Sequence, residues 1–211
     1  MSRYASPGST DDLYIRRPES PTEEEMRVTD GGWEIGVADW APDSRRLVYD
    51  SWDREEPGVA KPWIITIDED GNVLDRRRLP LPDGVTNARY EAWSPSGDEI
   101  AFITLTGGTE HAIWITRPDG SDTRKILDFV ATTGGGIDWA MDGRILYAGL
   151  ADDGRMHLFS VALDGSGPTQ ISQGAGDFLH PQVSPNGRWI AATHIRWVKE
   201  VRRMGLRGAR Q

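Results

Sequence analysis

Glu99-Ile100-Ala101-Phe102-Ile103 alternates buried-type and neighbouring positions with a period of two, and short runs of the same kind recur along most of the chain. In an extended strand successive side chains point to opposite faces, so runs of this type, rich in β-branched and aromatic residues, predict half-buried β-strands. The strands are joined by tight turns of one type. Aligned on those turns, the chain gives Asp39-Trp40-Ala41-Pro42-Asp43-Ser44, Ala92-Trp93-Ser94-Pro95-Ser96-Gly97, Asp138-Trp139-Ala140-Met141-Asp142-Gly143 and Gln182-Val183-Ser184-Pro185-Asn186-Gly187. Proline presets φ at the first corner, Asp, Ser or Asn accepts local hydrogen bonds, and glycine takes the positive φ that closes the hairpin. Ser44 and Met141 depart from that chemistry.

Trp40, Trp93, Trp139 and Val183 are separated by 53, 46 and 44 residues, the range of periods that marks solenoids and propellers, with room for one four-stranded unit per copy. Residues 12–29 read as a third and fourth strand. Three complete units follow, from about Trp33 to Leu79, Arg89 to Leu127 and Ile137 to Ser172. Phe178–Val183 and Trp189–Thr193 then supply a first and second strand. The expected organisation is a loose N-terminus over 1–11, repeats over 12–194 and a basic tail over 195–211. In the tail Gly205 and Gly208 argue against a long helix.

Composition adds constraints. The 211 residues suffice for one sizeable core, and no apolar run approaches the length of a membrane span. There is no cysteine, so packing rather than disulfides or thiolate metal sites must hold the fold. The start has no apolar segment of signal-peptide length, which makes the cytoplasm the default expectation. Net charge is −9, and six basic residues of the tail stand against Glu200 alone, so the rest is near −14, from 18 basic and 32 acidic residues. An acidic body opposes phosphate-directed nucleic-acid binding.

Catalytic signatures are absent from the sequence: it holds no Gly-x-Ser-x-Gly elbow, no His-Glu-x-x-His and no phosphate loop. Asp68-Glu69-Asp70-Gly71-Asn72 looks like half of a calcium loop but lacks the downstream glutamate, and reads as a hairpin turn. His111, His157, His180 and His194 have no paired spacing, so neither a metal nor a cofactor is expected. The aligned tryptophans read as packing residues between units rather than a sugar-binding ladder. Tyr14, Trp63, Trp114 and Phe159 share one third-strand position and read the same way.

Trp93-Ser94-Pro95-Ser96-Gly97 followed by Ile100-Ala101-Phe102 resembles the repeat of the TolB-like β-propellers, a WD-repeat-like family, and the resemblance covers roughly residues 12–194. It implies an all-β propeller of four-stranded antiparallel blades. This chain would hold a half blade, three blades and another half, about four equivalents, either a fragment, an arc or a tight ring of four. Family members are often periplasmic or exported, which leaves the compartment open.

Two functional readings follow. The first is a non-catalytic scaffold for a protein or peptide. The second is the propeller portion of a prolyl-oligopeptidase-type hydrolase whose catalytic domain lies outside this chain. Open blade edges would also favour self-association. One end of an antiparallel blade stack carries the tight first-to-second and third-to-fourth turns, and the other carries the longer, more varied connections where binding concentrates. That end is expected to bind, with Tyr90 and His180 near its centre, the charged loop Asp53, Arg54, Glu55 and Glu56 at its rim, and Arg89 and His111 beside them.

Overall fold

A computed structural model of the chain describes residues 11–18, 25–30, 34–52, 58–105, 108–132 and 135–196. Among these residues every regular element is a β-strand. Three antiparallel four-stranded meanders follow one another. The first is β3 (Glu34–Trp40), β4 (Arg46–Trp52), β5 (Ala60–Ile67) and β6 (Val73–Arg78), and the second is β7 (Ala88–Trp93), β8 (Ile100–Leu105), β9 (Glu110–Thr116) and β10 (Arg124–Val130). The third is β11 (Ile137–Trp139), β12 (Ile145–Leu150), β13 (Met156–Val161) and β14 (Thr169–Gln170). Two-stranded sheets flank them: β1 (Tyr14–Ile15) with β2 (Met26–Arg27), and β15 (Asp177–Val183) with β16 (Ile190–Ile195). The blades are therefore those the repeats predict. β4 and β5 run further than expected, into both ends of the 50–61 connection, and β16 takes Ile195 from the expected tail.

The turns have one geometry. The amide of Gly97 donates to Ser94 O, that of Gly143 to Ala140 O and that of Gly187 to Ser184 O, at 2.8–2.9 Å. The Ser44 amide donates to Ala41 O at 3.0 Å, and Ser44 takes φ 58° where the glycines take 68–85°. Neither Ser44 nor Met141 breaks the repeat. At 68–72 the Asp68 carboxylate accepts from the amides of Asp70 and Asn72 at 2.9 and 2.8 Å, which closes the β5–β6 hairpin.

Each sheet is apolar on both faces and is buried between its neighbours. Along β4, Val48 faces the second sheet in a cluster with Ile64, Trp93 and Phe102. Its neighbours Leu47 and Tyr49 face the other way, onto Leu13, Ile15 and Val28 of the β1–β2 unit. Ala101 and Ile115 meet Trp139 and Tyr147 between the second and third sheets, and Met156 and Leu158 meet Phe178 and Leu179 between the third and the β15–β16 pair.

Trp93 and Trp139 are 4% and 5% exposed, and the Trp139 indole N–H donates to Ala92 O of the preceding sheet at 3.0 Å. Trp40 differs: it is 45% exposed, against the expectation that all three aligned tryptophans pack between units. The cause is topological. The β1–β2 unit that precedes the first sheet supplies only third and fourth strands, so nothing among the described residues covers Trp40 as β4 and β5 cover Trp93. Among the described residues β1–β2 and β15–β16 remain separate sheets and do not join into a fourth blade.

Trp139→Ala should cost about 3–5 kcal/mol, as large aromatic truncations in a core do. Leu74→Ala, on the exposed face of β6, should stay within about 0.5 kcal/mol. Urea titration of both variants checks the contrast.

Candidate functional site: the central channel

The first strands β3, β7, β11 and β15 stand side by side at the axis of the arc. Between them lies a cavity of about 230 Å³ lined by three tiers, one residue per repeat in each: Val37, Tyr90, Gly136 (just before β11) and His180; then Ala38, Glu91, Ile137 and Pro181; then Asp39, Ala92, Asp138 and Gln182. The repeat places equivalent positions around one axis, and this is how residues up to 145 positions apart in sequence come to share a site.

The upper tier is shaped by bulges. Pairing slips between Ile35 and Ala38, between Arg89 and Ala92, and between Leu179 and Gln182. Tyr90 and His180 sit in the slipped segments at φ 59° and 51°, and Gly136 takes φ 77° at the same position. Left-handed backbone is costly for a bulky residue, and a bulge re-aims a side chain at the cost of ladder pairing. Here the ring centroids of Tyr90 and His180 come to 6.1 Å, across the mouth. Glycine is needed at 136 for a second reason: a Cβ there would lie 2.9 Å from His180 Cα, and the His180 amide donates to Gly135 O at 2.7 Å.

Arg89 supports the mouth from the side. Its guanidinium lies 4.8 Å from the Tyr90 ring centroid and 4.3 Å from that of Trp52, while its Nε reaches Asp50 Oδ2 at 3.3 Å. Asp50 is wholly buried and also accepts from the Val37 amide at 2.7 Å. A Cβ on Gly36 would collide with this carboxylate, so the glycine makes room for it. Burial, with the charge of Arg89 adding to it, lowers the His180 pKa below the usual imidazole value.

The lower tiers are acidic. Asp39 accepts from the Trp93 amide at 2.7 Å, and Asp138 accepts from the Val183 amide at 2.6 Å and from the Trp139 amide at 2.7 Å. Each carboxylate thus ties its own first strand to the first strand of the next sheet. Burial pushes Asp39 up to about 6, with the negative charge of Asp138 contributing, and burial raises Asp138 too. Glu91 is 5% exposed and both its carboxylate oxygens lack a hydrogen-bond partner. Burial and then the charge of Asp50 push its pKa well above the ordinary carboxylate range. Burial raises Asp50 too, but Arg89 and the Val37 amide favour its charged form.

The structure brings together Tyr90, His180 and Arg89 of the expected site. Asp53, Arg54, Glu55 and Glu56 lie outside the described residues. His111 is placed elsewhere: it is buried at the start of β9, with its ring centroid 5.6 Å from that of Phe129, in an aromatic row that continues to Tyr147 and Phe159. Sequence reasoning missed Asp39, Asp50, Glu91 and Asp138. The repeated Asp-Trp pairs at 39–40 and 138–139 carried a signal for two of them, since a carboxylate at one repeat position invites one role.

No family model matches the chain, and no curated protein matches it. Among solved structures, TolB from Acinetobacter baumannii is similar over 88% of this chain and 43% of its own, with a TM-score of 0.71 at 15% identity. A putative TolB from Agrobacterium tumefaciens is similar over 88% of this chain and 63% of its own, with a TM-score of 0.68 at 19% identity. Puromycin hydrolase is similar over 80% of this chain and 28% of its own, with a TM-score of 0.56 at 18% identity. The chain thus has the fold of TolB-like β-propellers, and it spans less than two thirds of the length of each of these structures.

Two outcomes are expected here. His180→Gly should be more stable than His180→Ala by about 1 kcal/mol, because only glycine escapes the left-handed penalty; paired urea titrations read the difference. Asp39 holds its proton more tightly folded than unfolded between its ordinary 3.8 and about 6. Its contribution is therefore fully present below the unfolded value and is lost as pH rises towards 6. Asp39→Asn, which keeps an oxygen for the Trp93 amide, should flatten that part of the melting-temperature profile between pH 4 and 7.

Proposed function

We propose that this propeller is a non-catalytic scaffold that receives a protein or peptide at the mouth of its channel. The observation that carries the reading is the pair of ring side chains, Tyr90 and His180, held by backbone bulges in left-handed conformations at one repeat position and brought to 6.1 Å across the mouth. Strain of that kind persists only where the surroundings impose it, and it clusters at binding and catalytic sites. An aromatic rim above the carboxylates of Asp39 and Asp138 suits a segment that brings an apolar or aromatic group to the rim and a hydrogen-bond donor or cationic group to the acidic floor.

The test is fluorescence anisotropy with pools of short labelled peptides, one pool basic and aromatic, the other acidic. The basic pool should bind, with affinity falling as salt is added. Tyr90→Ala with His180→Ala should weaken it about tenfold or more, as loss of central anchors does, while Ser96→Lys with Asn186→Lys on the turn face should leave it unchanged. Loss of binding in the turn-face variant alone, with both proteins folded, would place the site on the wrong end.

A second reading, the propeller portion of a hydrolase, is supported by the likeness to puromycin hydrolase, of which this chain matches 28%. Detection in cells of a longer product bearing an α/β-hydrolase segment would decide in its favour.

A further inference from the structure

At the seam between the first and second sheets a charge stands where the repeat elsewhere has an apolar side chain. Asp50 lies on β4, and its repeat counterparts are Ile103 and Ala148, which are 2% and 0% exposed within the apolar clusters of the two following seams. Arg89 meets Asp50 from β7, and its counterpart Leu179 packs in one cluster with Ala148. The repeat can therefore close this position with an alanine and a leucine, so the carboxylate is not needed to fill space. A buried ion pair gives little or no net stability over a well-packed apolar pair. Its use must be sought in what it holds.

What Asp50 holds belongs to the mouth. The carboxylate is wholly buried, accepts from the Val37 amide at 2.7 Å and from Arg89 Nε at 3.3 Å, and the Tyr90 amide also favours its charged form. Val37 and Tyr90 are one repeat position on neighbouring first strands, so a single side chain ties two bulged segments of the rim together. The same contact aims Arg89, whose guanidinium lies 4.3 and 4.8 Å from the ring centroids of Trp52 and Tyr90. Glu91 is buried close by, yet Arg89 does not turn to it, and its carboxylate oxygens have no hydrogen-bond partner. A guanidinium fixed at Nε keeps one orientation, and Tyr90, in its costly left-handed backbone, gains a fixed neighbour.

We propose that Asp50 is a positioning residue for the mouth: from inside the seam it fixes Tyr90 and Arg89 in the arrangement that a protein or peptide meets, a role that rests on the mouth being the binding site proposed above. Gly36 belongs to the same device, since a Cβ there would take the place of the carboxylate. Asp50 also sets specificity. It neutralises Arg89, whose charge would otherwise repel the cationic group that the floor carboxylates attract.

Two variants separate positioning from packing. Asp50→Asn keeps an oxygen for the Val37 amide and removes the charge that aims Arg89. Asp50→Ala with Arg89→Leu removes both charges and copies the seam of Ala148 and Leu179, so it should fold even if an unpaired Arg89 unfolds the single variant. The first readout needs no partner: the wild-type Arg89 Nε–H resonance should exchange slowly and be displaced by the ring currents of Trp52 and Tyr90. In Asp50→Asn it should exchange rapidly at the position of a free arginine. The second readout is anisotropy with the labelled peptide pools. Affinity for the basic pool should fall about tenfold in both variants, the scale of one strong contact, although Tyr90 and His180 are unchanged. In Asp50→Asn the acidic pool should gain affinity as the basic pool loses it, a reversal that a loosened fold would not produce. If Asp50→Asn does not fold, the wild-type resonance and the double variant decide. An Arg89 resonance already at the free position in the wild type, or wild-type affinity in either folded variant, would overturn the positioning role. Binding of neither pool by the wild type would instead overturn the reading of the mouth, and the resonance alone would then decide whether Asp50 fixes Arg89.

Discussion

A four-stranded sheet with apolar residues on both faces has no stable place in water unless another sheet lies against each side, and this requirement governs the molecule. Leu47 and Tyr49 on one face of β4 and Val48 on the other are buried by different neighbours. The arc is the geometric result of meeting that demand three times in succession. Where the succession stops, the cost appears as exposed side chains. Trp40, Trp189 and Ile190 are apolar residues whose repeat counterparts are covered, or, for Trp189, provide cover.

The axis imposes a second demand, because first strands from neighbouring sheets approach edge to edge without forming a ladder. Their amides need acceptors, and the acidic tiers supply them. Asp39 serves the Trp93 amide and Asp138 serves the Val183 amide. The second sheet has Ala92 at that position and keeps the same polarity with a different acceptor, its main-chain carbonyl accepting from the Trp139 indole N–H. Alternation between carboxylate and carbonyl keeps one acidic group from standing at every blade. Even so, the charge of Asp138 is felt at Asp39.

The blades were legible in the sequence because turn chemistry and two-residue alternation are local properties. Pro95-Ser96-Gly97 announces its hairpin without reference to anything distant, and Ser44 keeps the same turn although it lacks the glycine. What lies against a face is not local. Trp40 and Trp93 have the same context in sequence and opposite fates in space, because β4 and β5 lie against Trp93 and no second strand lies against Trp40 among the described residues. Among the site residues, Tyr90 and His180 could be placed from repeat position alone. Glu91 could not, since its burial depends on the bulge that shifts β7 by one residue, and no residue type marks that bulge. His111 looked like a member of the mouth because it follows a long connection, but the aromatic row from Phe129 to Phe159 draws it into the body.

Contacts between sheets run almost wholly from each sheet to the next in sequence. A stack of this kind behaves as a linear chain of coupled units, in which each interior unit is held by two interfaces and each terminal unit by one. Local opening free energies in such a system fall towards the ends. The second sheet, from Ala88 to Val130, is then the slowest part of the molecule to exchange its amide protons.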